Sequence, residues 1–188
     1  LTVHADAAWS AGAFDEAEAE YRDALSAVPG MSRALHGLAR ALASHNQLDE
    51  AMNAAQAALR ESPRDAEVHH TVGSIFERMR RYEQAAASYT NYVNLLPNKD
   101  RSEKAAWSRS QVRFLKSFGE REPIAIAEDV AGQLHTVDFR LVDDKVIVKA
   151  RVNNQRLQDF VLDTGSEQTT ISRQTASSTG VRPITYTL

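Results

Sequence analysis

A repeat of about 34 residues organises the first hundred positions of the chain. Pro29, Pro63 and Pro97 follow one another at equal steps of this length. The same step connects four further columns of related residues, namely Ala17, Ala51 and Ala85; Phe14, Leu48 and Tyr82; Tyr21, Ala55 and Tyr89; and Ala24, Ala58 and Tyr92. Self-similarity at such a period indicates stacked units that each bury an apolar face against the next unit.

Each unit contains the signals for two helices. Apolar residues at helical spacing precede a short polar break near Gly12, Asn46 or Arg80, and a second helical pattern then ends at a proline. These features resemble the tetratricopeptide repeat (TPR), a helix-turn-helix unit of about 34 residues. The resemblance covers residues 1–99 and implies an all-α superhelix of about two and a half repeats, because the first repeat begins inside its first helix.

The residues after the last repeat predict a capping helix. Asp100 or Ser102 could cap its start, Glu103 falls in its first turn, and Gly119 is expected to stop it. Two positions depart mildly from the TPR pattern: Ala39 stands where a glycine is usual, and His69 stands where an aromatic residue is common. Both residues still suit a small or flat packing position.

The repeats allow two interpretations, a structural spacer or a peptide-binding groove. The resemblance implies that the first helices would line such a groove with Arg33, His36, Arg40, Glu67, His70, Ser74, Glu77 and Arg78. Gly37 and Arg40 do not reproduce the Lys and Asn carboxylate clamp of chaperone-tail-binding members. Trp9 and Trp107 are interpreted as packing residues rather than as ligand platforms.

Composition excludes several other function classes. The net charge is −3, from 22 basic and 25 acidic residues without a basic stripe, so nucleic acid is not an expected partner. There is no Cys, and the six His lack metal-ligand spacing, so neither a metal nor another cofactor is expected. No apolar stretch is long enough for a membrane span, which predicts a soluble chain. The chain does not begin with Met and is interpreted as a fragment or processed form, so the compartment cannot be read.

The residue pattern changes near position 120. We expect a TPR domain with its capping helix at 1–119, a linker at 120–133 and a β domain at 134–188. Alternating apolar residues at 137–141 and 146–152 predict half-buried strands, separated by turns at 142–144 and 152–155. Ser172 is expected to cap a short helix over residues 173–178.

One short motif in this second region carries chemistry. The apolar run Phe160-Val161-Leu162 leads into Asp163-Thr164-Gly165-Ser166, and Thr170-Ile171-Ser172 follows. With the turn at 152–155, this order resembles the front half of a retropepsin-like aspartic peptidase, an all-β domain that bacterial proteins combine with TPRs. The resemblance assigns catalysis to Asp163, a loop cross-link to Thr164, backbone approach to Gly165 and a hydrogen bond to Ser166.

The peptidase interpretation requires two copies of the chain. Aspartic peptidases share one proton between two close carboxylates, and this chain has one such triplet, so a homodimer is implied. The resemblance also implies further strands beyond Leu188, so the chain as it stands is expected to be inactive. Two alternatives stay open: a β-turn in which Asp163 caps amides and Gly165 has positive φ, and a non-enzymatic TPR adaptor whose β segment mediates dimerisation.

Overall fold

The computed structural model describes residues 1–119, 130–165 and 169–184. These residues form two compact units, a helical unit over residues 1–119 and a β unit over residues 130–183. The linker predicted at 120–133 lies mostly outside the described residues, so the proposed domain limits stay a prediction.

Seven helices are described in the helical unit. They are α1 (Val3–Ser10), α2 (Phe14–Ala27), α3 (Ser32–Ser44), α4 (Leu48–Glu61), α5 (Ala66–Arg78), α6 (Tyr82–Leu95) and α7 (Glu103–Lys116). The pairs α1 with α2, α3 with α4 and α5 with α6 correspond to the three units that the sequence period predicts. We call α1, α3 and α5 the first helices of their repeats.

Each first helix ends in the same backbone turn. Gly12, Asn46 and Arg80 have φ angles of +78°, +61° and +59°. The next residue in each case donates its N–H to the carbonyl five residues earlier, at 3.0, 3.0 and 2.8 Å. A left-handed residue followed by this bond is the Schellman ending of a helix. The polar breaks in the sequence therefore correspond to one turn that recurs once in every repeat.

The repeated columns form the core between paired helices. Ala17, Ala51 and Ala85 have no exposed surface. Where a second helix carries the bulky Tyr89, the first helix opposite carries Gly73, and a Cβ placed there would lie 2.8 Å from the ring. In the second repeat Ala55 takes the place of the tyrosine, so Ala39 fits without steric conflict, and both are fully buried. The second repeat therefore packs alanine on alanine at the position where the third repeat packs glycine on tyrosine.

The predicted capping helix is α7. The Ser102 hydroxyl accepts the N–H of Ala105 at 3.3 Å and caps its start. Leu115 is 1% exposed and packs with residues of α6. The helix ends at Lys116, three residues before Gly119, and a tighter turn with i to i−3 bonds covers the interval. The expectation that Gly119 itself ends the helix is therefore wrong by less than one turn.

The β unit contains a three-stranded antiparallel sheet in the order β1 (Phe139–Val142), β2 (Lys145–Ala150) and β3 (Gln158–Leu162). Asp143 and Asp144, with φ of +48° and +59°, make a two-residue turn between β1 and β2. The helix α8 (Arg173–Thr179) begins after Ser172, whose hydroxyl accepts the N–H of Thr175 at 3.0 Å. The strands, turns and short helix lie close to their predicted positions.

One face of the sheet is mainly apolar, whereas the other combines charged residues with apolar ones such as Ile147 and Val161. The pairing register and the alternation of side chains place six apolar residues on one face, which are Phe139, Leu141, Val146, Val148, Phe160 and Leu162. The other face carries Asp159, which accepts hydrogen bonds from Arg140 and Lys149 at 2.9 Å each. None of the strand residues is buried, and β1 is exposed throughout. The prediction of half-buried strands is wrong for β1, because no described element of the unit buries that edge.

Candidate functional site

The Asp163 loop follows β3 directly. Asp163 is exposed, and its Oδ1 accepts the N–H of Gly165 at 2.9 Å. This contact is the amide cap that the simple turn interpretation predicts. The positive φ that the same interpretation predicts for Gly165 is wrong, because its φ lies outside the left-handed region. Thr164 is exposed, and Ser166 lies outside the described residues.

Asp163 also lines a cleft of about 750 Å³ between β3 and the segment that leads into α8. The cleft has a second carboxylate in its lining, Asp159, but that residue pairs with Lys149 and Arg140. Its hydrogen bond from Lys149 and the charge of Arg140 keep the Asp159 pKa below its usual value. Asp159 is thus already paired with two cations, and the described lining of the cleft contains no carboxylate other than Asp159 and Asp163.

The predicted groove residues lie on a surface formed by adjacent first helices and α7, which we call the first-helix surface. Arg33 on α3 pairs with Asp6 on α1 at 2.8 Å. His36 Nε2 lies 2.8 Å from the Thr71 hydroxyl of α5. Gln111 on α7 donates to Glu77 on α5 at 2.6 Å. Side-chain contacts of this kind connect α1, α3, α5 and α7 in sequence order across one surface.

Other predicted groove residues are held by neighbours on the same surface. Arg78 donates to the Ala43 carbonyl and, at 3.2 Å, to Asn46 Oδ1. The Arg40 guanidinium lies 4.2 Å from the centre of the Trp9 ring and forms no ion pair with a described residue. Ser74 is half-buried. The structure thus brings the predicted groove residues together, and their role in binding stays a prediction.

Two histidines of this surface are partly buried. Burial, with a further contribution from Arg40, lowers the pKa of His36. Burial also lowers the pKa of His70, whose ring centre lies 5.0 Å from that of Tyr92 and 6.4 Å from that of Trp107. Both histidines are therefore neutral near pH 7. No group of three potential metal ligands occurs within residues 1–119, 130–165 and 169–184.

The contribution of α7 to this surface does not follow from the repeat pattern of the sequence. Trp107 is 44% exposed and is not the packing residue that we expected. Its partner His70 lies 37 positions earlier, and the capping residues Asp65 and Ser102 are also 37 positions apart. If α5 and α7 are aligned by their capping residues, and not by the 34-residue step of the prolines, Trp107 and His70 occupy equivalent positions on neighbouring helices.

Comparison with known proteins identifies the repeats. Residues 8–75 match the family model of the tetratricopeptide repeat. The fold is similar to the TPR domain of Arabidopsis OM64, with 17% identity, a TM-score of 0.54 and coverage of 60% of this chain and 91% of that one. It is also similar to the Sgt2 TPR domain from Aspergillus fumigatus, with 21% identity, a TM-score of 0.57 and coverage of 70% and 89%.

A third similar structure is the type III secretion translocator chaperone SycD of Yersinia enterocolitica, with 15% identity, a TM-score of 0.57 and coverage of 62% and 81%. No curated protein matches the sequence. The helical unit is a TPR superhelix, and a small antiparallel sheet follows it. Among the helices of the described ranges, none has the length and apolar character to cross a membrane.

Proposed function

We propose that this protein is a non-enzymatic TPR adaptor whose first-helix surface binds an extended segment of a partner protein. The observation that carries the proposal is the continuous surface of polar and aromatic side chains across α1, α3, α5 and α7. SycD, which has the same fold, has been solved with a peptide of the translocator YopD. A protein with this fold can therefore hold a peptide.

The side chains of the first-helix surface suit recognition of a peptide. Arg40 offers a guanidinium on a ring face without a carboxylate partner among the described residues, and Trp107 offers an exposed indole. Arginine and tryptophan are the residue types that contribute most at protein interfaces. Ion pairs such as Arg33 with Asp6 keep neighbouring side chains in place, which limits the entropy lost on binding.

A displayed library of random peptides, selected on the whole chain, tests the proposal. We expect enriched peptides whose binding, measured by fluorescence polarisation, weakens in Arg40→Ala. Arg60→Ala removes the same charge from an exposed position on α4, the second helix of its repeat, and should leave binding unchanged. If both variants bind the selected peptides as the parent does, the peptides do not use this surface and the proposal is wrong.

The β unit would bring two copies of the adaptor together. Its apolar face carries no charged side chain, so two such faces can meet without burying a charge. Leu141 is 69% exposed on this face, so Leu141→Lys would charge the interface without disturbing a core. Light scattering after gel filtration should give a dimer for the parent and a monomer for the variant. A monomeric parent at micromolar concentration would remove this part of the proposal.

A second candidate function is peptide hydrolysis by a dimer. It is favoured by one observation: Asp163 has no cationic partner among the described residues and opens onto a cleft. In a dimer, Asp163 of each copy would supply one carboxylate, and the pair would share a proton to activate water. Pepstatin-sensitive cleavage of a casein substrate that is lost in Asp163→Asn would support this function. Cleavage that persists in the variant would eliminate it.

A further inference from the structure

A pocket of about 420 Å³ lies between α5, α6 and α7, at one end of the first-helix surface. Three rings face it, those of His70, Tyr92 and Trp107. We call it the aromatic pocket. The His70 ring meets Tyr92 nearly edge-on, with ring planes 67° apart, while Trp107 keeps 44% of its surface exposed. The indole therefore offers an accessible ring face beside two rings that are held in place.

An unsatisfied polar group lies in the wall of the pocket. Ser108 has no exposed surface, and its Oγ has no hydrogen-bond partner among the described residues. A buried hydroxyl without a partner is unfavourable, because it loses its bonds to water and gains none in the protein. Ser108 lines the pocket, and its oxygen, which is covered in the free protein, becomes available to a ligand when a neighbouring side chain of the pocket wall moves aside.

The rim of the pocket is negatively charged. Glu67 and Glu103 contribute two carboxylates and Lys104 contributes one ammonium group. Lys104 Nζ lies 4.0 Å from Glu67 Oε1, and both side chains are more than half exposed. Such a pair is weak and easily exchanged, so the long Lys104 side chain can turn into solvent. One negative charge remains in excess at the rim.

The opposite end of the surface has the reverse charge. Arg33, Arg40 and Asp6 line a second pocket there, of about 580 Å³. Asp6 pairs with Arg33, and one positive charge is left over on Arg40. An extended ligand along the surface would therefore meet a positive field at α1 and α3 and a negative field at α5 and α7.

We propose that the aromatic pocket is an anchor site for a basic side chain of the partner peptide, arginine in preference to lysine. The inference rests on the proposed adaptor function. A guanidinium would lie on the Trp107 ring and donate N–H groups to Ser108 Oγ and to the carboxylates of Glu67 and Glu103. Arginine fits better than lysine because its flat, multi-donor group can do all three at once. The charge reversal would orient the peptide, with its basic anchor at α7 and acidic residues towards Arg40.

Titration of the whole chain with single amino-acid amides tests the pocket without a known partner. The probes are the N-acetyl amides of arginine, lysine, leucine and aspartate, followed by the two indole N–H signals in proton–nitrogen NMR spectra. The chain has two tryptophans, and Trp9 already carries Arg40 on its ring, so it is an internal control. Trp107→Phe assigns the signals.

We expect the arginine probe to shift the Trp107 signal in a saturable way, the lysine probe to bind more weakly, and Trp9 to stay in place. Glu67→Gln should weaken arginine binding about two- to fivefold, the range for a solvent-exposed ion pair. The matched control is Glu50→Gln on α4, where the same charge is lost from an exposed site; it should bind as the parent does.

Ser108→Ala separates a binding role from a structural one. Since its hydroxyl has no partner in the free protein, the substitution should leave thermal stability unchanged or raise it, while weakening the arginine probe. A stronger response of Trp107 to leucine or aspartate, equal shifts of both tryptophans, or no shift at all would each overturn the proposal. If library peptides bind through Arg40 but carry no basic anchor, the adaptor function stands and this inference fails.

Discussion

The contact between Gly37 and Tyr21 is the tightest test of how the repeats pack. Tyr21 on α2 is fully buried, and a Cβ built on Gly37 of α3 would lie 2.2 Å from its Cζ and 2.3 and 2.6 Å from the two Cε atoms. The ring cannot swing aside freely, because its hydroxyl donates to Asp6 Oδ1 at 2.7 Å. Gly37→Ala should therefore force the two helices apart or strain the ring.

The expected magnitude follows from two opposing effects. Overpacking of a close-packed core costs about 1–3 kcal/mol, and three contacts below 3.0 Å place this site at the upper end. Replacing a glycine by alanine within a helix gains about 1 kcal/mol from propensity. The net loss should be about 2 kcal/mol. In a Tyr21→Ala background the ring is gone, so the same substitution should stabilise the protein by up to about 1 kcal/mol.

The parent, the two single variants and the double variant form a double-mutant cycle. Their free energies of unfolding are measured by urea unfolding, followed by circular dichroism at 222 nm. The coupling energy between the two sites should be about 3 kcal/mol, because Gly37→Ala costs about 2 kcal/mol when the tyrosine ring is present and gains about 1 kcal/mol of helix propensity when it is absent. Gly73→Ala gives an intermediate case, because its Cβ would lie 2.8 Å from the Tyr89 ring. If Gly37→Ala alone matches or exceeds the parent in stability, the close packing described for α2 and α3 is incorrect.

Three further predictions concern caps, protons and a buried hydroxyl. Asp65→Ala should lower the free energy of unfolding in urea by about 1 kcal/mol, since Asp65 Oδ1 accepts the N–H of Glu67 at 3.0 Å and caps α5. Asp65→Asn keeps a capping oxygen and should retain most of that stability. Burial lowers the pKa of His36 and His70, so the unfolded chain binds more protons, and stability should fall as pH drops below about 6.5. Replacing both histidines by Gln should flatten that dependence between pH 7.5 and 5; an unchanged slope would contradict it. Tyr21→Phe removes the hydrogen bond to Asp6 and should lower the free energy of unfolding by about 1.5–3 kcal/mol, measured as a lower urea midpoint. An unchanged midpoint would show that this hydrogen bond contributes little to stability.

The sequence predicts the helical unit well because its signals are local and repeated. Proline, alanine and tyrosine columns at equal steps determine which faces pack, and the left-handed turn recurs at Gly12, Asn46 and Arg80. The turn between β1 and β2 is also local, because two aspartates in succession tolerate positive φ. Local features of this kind can be predicted without knowing which distant residues they contact.

The features that sequence reasoning missed depend on distant partners. Alternation in β1 shows that one face is apolar, but it does not show whether another element covers that face. Trp107 was missed because the loop before α7 is longer than its counterparts, so the step between repeats no longer applies. For Asp163, the motif identifies a carboxylate at a strand end, whereas the predicted peptidase activity would require a second carboxylate that no local pattern can supply.

The size matching between Gly73 and Tyr89, and between Ala39 and Ala55, has an evolutionary consequence. A crossover that joined the first helix of one repeat to the second helix of another would set a tyrosine against Ala39 or leave an alanine beside Gly73. The second hybrid would contain a void where the tyrosine ring lies, whereas the first repeat already combines Tyr21 with an alanine, Ala5, at the corresponding position of its first helix. Exchanges that carry both helices together preserve this fit within a repeat, whereas the contact of Tyr21 on α2 with Gly37 on α3 joins two repeats and constrains which hairpins can follow one another.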